Sequence, residues 1–208
     1  MFRVRRRQDR PQNLVGCNCL ASYNCRMAGE PVVFLTGAPA AGKTVLARAL
    51  LQRFPRGIHV PVDDLRDWVV SGFAGPSAEW GEETKLQFRL AEAVACDIAV
   101  RYQEAGFAVV IDHNQGPPTL DRLIADRVAG LRVHKVAVVS DLETNLERNR
   151  TRANKSFDPA VLEQTIRHQN PMYRTEPIHE QGWIRFDNEL NGVEAAADRL
   201  FELLNSQR

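Results

Sequence analysis

The stretch Val32-Val33-Phe34-Leu35-Thr36-Gly37-Ala38-Pro39-Ala40-Ala41-Gly42-Lys43-Thr44 decides the fold of this chain. It begins with an unbroken run of apolar and β-branched side chains, which is typical of a strand buried on both faces. The residues that follow match the pattern G-x-x-x-x-G-K-[ST] at every fixed position. Apolar residues then recur at helical spacing from Val45 to Leu51. The stretch therefore predicts a strand, a glycine-rich turn and a helix.

The glycine-rich turn has the composition of a phosphate-binding loop. Glycine lets the backbone turn tightly enough for consecutive N–H groups to point at one anion, and the helix adds the partial positive charge of its N-terminus. In this pattern the lysine reaches the β- and γ-phosphates, and the threonine hydroxyl ligates Mg²⁺. We therefore predict that ATP and Mg²⁺ bind at Gly37, Ala38, Pro39, Ala40, Ala41, Gly42, Lys43 and Thr44.

Strand-like and helix-like segments alternate along the rest of the chain. We predict further strands at Gly57–Val62, Phe107–Ile111, Val133–Val139 and Trp183–Phe186, and helices that include Glu82–Glu104, Leu142–Arg152, Pro159–Gln169 and Val193–Leu204. Continuous apolar strands joined by helices indicate a parallel sheet that is covered on both faces. The sequence therefore predicts a three-layer α/β/α domain with a five-stranded parallel sheet. In such sheets ligands bind at the carboxyl ends of the strands.

Composition and charge narrow the classes of function. The chain has 208 residues, of which 44% are hydrophobic and 25% charged, and this balance suits one globular domain. Its formal net charge of +1 gives no global signal for nucleic acid or membrane. No apolar run is long enough to span a bilayer, and the N-terminus lacks the apolar stretch of a secretory signal. We expect a cytoplasmic protein whose folded domain covers residues 31–208.

Residues 1–30 differ in composition from everything that follows. They hold six arginines against two acidic residues, a net +4 that leaves −3 for the remainder. Because they show neither helical nor strand periodicity, we predict a basic, disordered extension. A zinc site at Cys17, Cys19 and Cys25 is an alternative that lacks a fourth ligand at the usual spacing. Met27 is an alternative start of the protein.

Two aspartates follow the second predicted strand. Phosphoryl transfer to an alcohol needs a carboxylate that orients the hydroxyl and accepts its proton. We predict that Asp63 is this base and that Arg66, on the helix that follows, contacts the substrate. The alternatives are that Asp63 or Asp64 caps a helix beginning at Leu65 and that Arg66 is a solvated helix residue.

A third carboxylate, Asp112, ends the third predicted strand. A carboxylate in this position holds Mg²⁺ in many phosphoryl-transfer proteins, so we predict that Asp112 is a metal ligand. Asn114 extends the polar edge and is a predicted substrate contact. The alternative is that Asp112 belongs to the turn before Gly116. For His113 we predict no function, because one histidine in a loop is weak evidence.

The segment Leu142–Arg152 ends with three arginines. Arg148 and Arg152 are four residues apart and share a helix face, whereas Arg150 points elsewhere. The charge on a transferred phosphoryl group requires cations, and a mobile arginine lid supplies them. We predict that Arg148 and Arg152 act in catalysis together with Lys43. The alternative is a basic helix C-terminus that the helix dipole favours.

These motifs, in this order, resemble those of the small P-loop kinases, a family that includes the kinase domain of polynucleotide kinases, chloramphenicol phosphotransferase and zeta toxins. The matching segments are Gly37–Thr44, Val62-Asp63-Asp64-Leu65-Arg66, Ile111-Asp112-x-Asn114 and Glu147-Arg148-x-x-x-Arg152, within a resemblance from about Val32 to Leu204. The resemblance implies strand order 2-3-1-4-5 and Mg-ATP as phosphoryl donor. It also implies an acceptor-activating base at Asp63, a positioning role for Arg66, and a lid arginine at Arg148 or Arg152.

The resemblance leaves the phosphoryl acceptor open. Ala40-Ala41 stands where many relatives have glycine or serine, and Gly72–Gly81 carries no family signature. Residues 186–189 follow the last strand, where such loops can pass near adenine. We predict an ATP-dependent kinase of a small-molecule hydroxyl. The alternatives are a 5′-hydroxyl polynucleotide kinase, which the basic extension favours, an NTP-hydrolysing regulator without an organic acceptor, and a nucleotide-binding protein without chemistry.

Overall fold

The structure, a computed structural model, describes residues 29–75, 81–151, 159–188 and 192–206. Its sheet contains β1 (Val32–Thr36), β2 (Gly57–Pro61), β3 (Ala108–Asp112), β4 (Val133–Val139) and β5 (Ile184–Asp187). The strands are all parallel and are arranged in the order β2-β3-β1-β4-β5. The predicted fold class and strand order are therefore confirmed.

Helices cover both faces of this sheet. They are α1 (Lys43–Leu51), α2 (Val62–Asp67), α3 (Glu82–Glu104), α4 (Pro117–Arg127), α5 (Leu142–Arg150), α6 (Pro159–Thr175) and α7 (Val193–Ser206), with a short 3₁₀ helix at Ile178–Gln181. Because side chains of a strand alternate between faces, β1 contributes to two cores. Val33 and Leu35 pack with α1 and α7, whereas Val32 and Phe34 pack with α3 on the opposite face.

The arrangement of the sheet brings the polar strand ends to one edge. β1 and β3 are buried at every position, as the continuous apolar runs predict. In the register of the sheet, Leu35 pairs with Asp112, and Pro61 pairs with the same aspartate from the other side. The residues after β1 and β2 therefore flank Asp112 directly. This edge carries the glycine-rich turn.

Helix α2 begins earlier than the sequence suggests. It starts at Val62 rather than at Leu65, and the N-cap position belongs to Pro61. Asp63 and Asp64 both lie within the first turn, where the helix dipole favours acidic side chains. The capping alternative for these two aspartates is therefore wrong.

Helix α6 continues past the predicted end. It runs to Thr175 through an internal proline, Pro171, although a proline usually ends or kinks a helix. Side-chain contacts on both sides of the proline hold it. Asn170 Nδ2 donates to the Ser140 carbonyl at 2.8 Å, and the buried Tyr173 bonds to Thr36.

Candidate active site

The glycine-rich turn from Gly37 to Gly42 depends on backbone conformations that suit glycine. Gly37 has φ +144° and Gly42 has φ +90°. A Cβ on Gly37 would collide with the Val138 carbonyl oxygen, and one on Gly42 would lie 2.5 Å from Asn188 Nδ2. Ala40 also adopts a positive φ of +63°, which is uncommon for a residue with a Cβ. The turn is thus folded tightly against the ends of β4 and β5.

Lys43 lies over this turn. Its Nζ donates to the Gly37 carbonyl at 2.9 Å and to the Ala38 carbonyl at 3.2 Å. The side chain is 9% exposed. The ammonium group is therefore held inside the concave side of the turn, where an anion would meet it.

Thr44 and Asp112 form a pair of oxygen donors beside the lysine. Thr44 Oγ1 donates to Asp112 Oδ2 at 2.6 Å. Burial alone raises the pKa of Asp112, but the neighbouring His59 imidazole, the charge of Lys43 and the hydrogen bond from Thr44 outweigh it and hold the pKa below its usual value. The carboxylate is therefore ionised at neutral pH. Adjacent hydroxyl and carboxylate oxygens are ligands that Mg²⁺ prefers, so the pair fits this ion.

His59 is a neighbour of Asp112 that the sequence reasoning missed. It lies on β2, and its Nε2 is 3.5 Å from Asp112 Oδ2. Strand alternation predicts which face of β2 carries His59. The pairing of β2 with β3, on which the contact depends, comes only from the strand order.

Asp63 projects from the first turn of α2 at the same edge of the sheet. Its side chain is 43% exposed, and its Oδ1 lies 3.9 Å from Arg66 Nη1. Asp63 follows Pro61 by two residues, and Pro61 pairs with Asp112. The geometry therefore gives an accessible carboxylate at the end of the strand next to the Thr44–Asp112 pair.

Arg66 is buried within the fold. Its guanidinium carbon lies 3.6 Å from the centre of the Phe88 ring, and Nη2 donates to the Ala74 carbonyl at 3.2 Å. Burial lowers its pKa, against the opposing charges of Asp63 and Asp67. The contacts connect α2 to α3 and to the loop at Ala74. The alternative that Arg66 is a solvated helix residue does not describe this environment.

The loop after β3 is fixed by His113. Its Nε2 lies 2.9 Å from Glu92 Oε1 on α3, and its backbone N–H donates to the Leu35 carbonyl at 3.0 Å. His113 is 2% exposed, so its visible role is to hold the loop. Asn114, the next residue, is half-buried beside this anchor.

A further set of contacts joins the end of β1 to α6. Thr36 Oγ1 donates to the Gln115 carbonyl at 2.6 Å and lies 2.9 Å from Tyr173 Oη. Burial raises the pKa of Tyr173, although hydrogen bonds with Thr36 and the Gly37 backbone oppose the shift. The phenol is therefore neutral. These contacts fix the residue that precedes the glycine-rich turn.

Of the two arginines predicted to act in catalysis, Arg148 lies close to the glycine-rich turn. Its Nη1 lies 3.7 Å from the position that a Cβ on Gly42 would occupy. The side chain of Arg148 is exposed, while Asn145 and Leu146 anchor α5 in the interior. Arg152 lies outside the described residues.

Asn188 is a site residue whose role the sequence did not predict. Its Nδ2 donates to the Ala41 carbonyl at 2.8 Å, and its own N–H donates to the Val139 carbonyl at 2.8 Å. It thereby connects the ends of β4 and β5 to the glycine-rich turn. The sequence offered a weak signal, because Asn188 is the first residue after β5.

Two other predictions concern metal and membrane. The cysteines Cys17, Cys19 and Cys25 lie outside the described residues. Within the described ranges, no group of three or more His, Cys, Asp or Glu side chains could hold a metal ion. The helices of these ranges include none that combines the length and apolar character needed to cross a bilayer.

Comparison with known proteins gives a family match and similar solved structures. A family described as AAA domain matches residues 32–175, and no curated protein matches the chain. The tunicamycin resistance protein of Deinococcus radiodurans is 21% identical, with a TM-score of 0.56, and the match covers 86% of this chain and 95% of that one. Shikimate kinase from Acinetobacter baumannii, solved with shikimate, is 17% identical with a TM-score of 0.55, over 87% and 96%. The APS kinase of Mycobacterium tuberculosis, solved with AMPPNP and APS, is 15% identical with a TM-score of 0.60, over 86% and 99%.

Proposed function

Because the chain belongs to the AAA domain family of P-loop proteins, whose match covers residues 32–175, we propose that it is a kinase that transfers the γ-phosphoryl group of Mg-ATP to a hydroxyl of a small molecule. The observation that carries the proposal is the Thr44–Asp112 hydrogen bond of 2.6 Å beside Lys43. This hydrogen bond places the ionised Asp112 carboxylate next to the proposed phosphate-binding turn, where a phosphoryl-transfer site requires a metal ligand.

The proposal assigns ATP to the glycine-rich turn. The backbone N–H groups of Ala38 and of residues 40–44, together with the N-terminus of α1, would bind the phosphates; Pro39 has no N–H to donate. Lys43 would exchange its bonds to the Gly37 and Ala38 carbonyls for bonds to phosphate oxygens. Thr44 and Asp112 would hold Mg²⁺, which when bound neutralises phosphate charge.

Asp63 is the proposed base for the acceptor. Its carboxylate accepts a hydrogen bond from the acceptor hydroxyl and takes the proton as the new O–P bond forms and the bond to ADP breaks. Because the side chain is 43% exposed, the proton can then pass to water.

Arg148 is proposed to stabilise the charge of the transferred group, together with Lys43. Its Nη1 already lies near Gly42, and the exposed position of Arg148 on α5 leaves its side chain free to move toward bound phosphates. Arg152 is proposed as a second cation from the same segment. For Arg66, the contacts with Phe88 and Ala74 support a positioning role at the acceptor side, next to Asp63.

The proposed small-molecule acceptor rests partly on the similar structures. Two of them are kinases solved with the small molecules shikimate and APS. Asn114 follows the anchored His113 at the carboxyl end of β3 and is a proposed acceptor contact. The mildly acidic body of the chain argues against a long nucleic-acid footprint.

The proposal is tested by ADP release from Mg-ATP, measured with and without hydroxyl acceptors. The panel contains antibiotics, nucleosides, sugars and a 5′-hydroxyl oligonucleotide. We expect one small-molecule class to stimulate ADP release and to carry the phosphoryl group, and Lys43→Ala to remove the activity. Steady hydrolysis that no acceptor changes would contradict the kinase assignment. Stimulation by the oligonucleotide alone would contradict the small-molecule acceptor.

A further inference from the structure

An apolar surface lies on the side of the molecule formed by α2 and α3. The exposed large hydrophobic residues of the described chain are concentrated there: Trp68 is 71% exposed, Val70 99%, Phe73 48%, Leu86 41%, Leu90 56% and Val94 44%. Exposed apolar side chains scattered singly are normal, but a contiguous patch marks an interaction surface. We call this patch the α3 surface.

The centre of the α3 surface is a ridge along the helix. Leu86, Leu90, Val94, Ile98 and Tyr102 recur every fourth residue and extend for ~24 Å at the rise of an α-helix. The opposite side of α3 packs in the core through Ala91, Ala95 and Ala99, among others. The helix is therefore apolar on two sides: the fold covers one side fully and the other only around Ile98, while Leu86, Leu90 and Val94 stay exposed.

A groove of about 190 Å³ adjoins this ridge. Its walls include Leu65 and Trp68 from α2, and Leu90 and Val94 from α3. A tryptophan beside a groove is the kind of residue that dominates binding energy at protein interfaces.

Two of the charges beside the ridge, Arg89 and Asp97, have a symmetric arrangement. Arg89 precedes Ala93 by four residues and Asp97 follows it by four, so all three lie on one row of the helix. Both charged side chains are exposed, and within the described part of the chain neither forms a salt bridge. Two antiparallel copies of α3 that cross at Ala93 would place each Arg89 opposite the Asp97 of the other copy.

We propose that two copies of this chain associate through the α3 surface, about a two-fold axis near Ala93. Ridges formed by residues four apart pack into the matching grooves of another helix, and a two-fold axis requires a patch that is complementary to itself. The Arg89–Asp97 pair meets that requirement, and the apolar ridge lies beside it. Half-buried Ala93 is small enough to allow the close approach of the two backbones.

The association bears on the acceptor side of the proposed active site. From the inner side of α3, Gln87 Nε2 donates to the Gly72 carbonyl at 2.7 Å and its Oε1 accepts from the Ala74 N–H at 3.0 Å. Glu92 on the same helix holds His113. A partner against the outer side would therefore restrict the motion of the helix that positions both loops.

Sedimentation velocity of the full chain over a range of concentrations tests the proposal. We expect the wild type to shift from monomer to dimer and Leu90→Asp to remain monomeric. The matched control is Val45→Asp, since Val45 is 58% exposed on α1, and it should dimerise like the wild type. A wild type that is monomeric throughout, or a Leu90→Asp variant that dimerises normally, overturns the proposal.

A charge exchange tests the two-fold register. Arg89→Glu and Asp97→Arg should each weaken dimerisation about tenfold or more, because each places like charges opposite one another. The double variant restores the opposite-charge pair with its direction reversed, and it should recover dimerisation. Thermal unfolding of every variant checks that the fold is intact. Failure of the double variant to recover dimerisation, with its fold intact, overturns the register.

Discussion

At the scale of single residues, Gly42 and Gly37 determine the shape of the glycine-rich turn. Both have positive φ values, and each faces an atom that leaves no room for a Cβ. For Gly37 this atom is a backbone carbonyl oxygen, which cannot move without shifting β4. For Gly42 it belongs to the Asn188 side chain, which can yield only by giving up its bond to Ala41.

We predict that Gly42→Ala weakens ATP binding by about tenfold or more, equivalent to ~1.4 kcal/mol. The added Cβ would lie 2.5 Å from Asn188 Nδ2 and in a backbone conformation that L-residues rarely adopt. Calorimetric titration with a non-hydrolysable ATP analogue measures the change. Gly130→Ala is the control, because nothing lies within 4 Å of its Cβ. Equal affinities for the two variants would show that the turn tolerates a side chain.

At the scale of elements, the features that local sequence does not predict depend on contacts between neighbouring strands and helices. The glycine-rich turn and the carboxylates at the strand ends are local patterns, and the structure places them at the same edge of the sheet. The Asn188–Ala41 and His59–Asp112 contacts depend on which strands are neighbours, and local sequence does not encode this. In α6, the propensity of Pro171 to end a helix is overridden by the anchors at Asn170 and Tyr173.

The packing of Arg66 between α2 and α3 leads to a prediction about stability. Arg66→Ala should lower the free energy of unfolding by ~2 kcal/mol, because it removes a buried cation–π contact with Phe88 and the packing of the side-chain stem. Urea unfolding measures the loss. Arg101→Ala is the matched control: its side chain is 82% exposed, and we expect a change within ~0.5 kcal/mol. A loss for Arg66→Ala no larger than that of the control would mean that the buried contacts do not stabilise the fold.

At the scale of the whole molecule, the two cores on either side of the sheet determine its stability. The periodicity of the sequence predicts both cores, since alternate residues of β1 contribute to each. On α3, the exposed ridge and the side that packs in the core both repeat every fourth residue. Periodicity alone therefore does not show which of these two apolar sides the fold covers. The identity of the phosphoryl acceptor also cannot be predicted from the sequence, because the loop after α2 carries no recognisable pattern.

Cys96 in the α3 core provides a test of this packing. Burial raises its pKa to about 12 from 9.0, so the folded thiol keeps its proton where the unfolded thiol has lost it. Its contribution to stability is therefore complete below pH 9 and declines as the pH rises toward 12, by up to ~1.4 kcal/mol per pH unit. We expect the stability difference between wild type and Cys96→Ala to shrink between about pH 9 and 11 in urea unfolding. A constant difference would contradict the burial of the thiol.

The proposed function is tested most directly by transfer from γ-labelled ATP to the best acceptor of the panel, compared among wild type, Asp63→Asn and Asp64→Asn. We expect Asp63→Asn to bind ATP normally but to lose transfer by about a hundredfold or more, as removal of a general base does. Asp64→Asn, its neighbour in the first turn of α2, should transfer at a rate close to the wild type. Transfer at the wild-type rate by Asp63→Asn would show that this carboxylate is not the base.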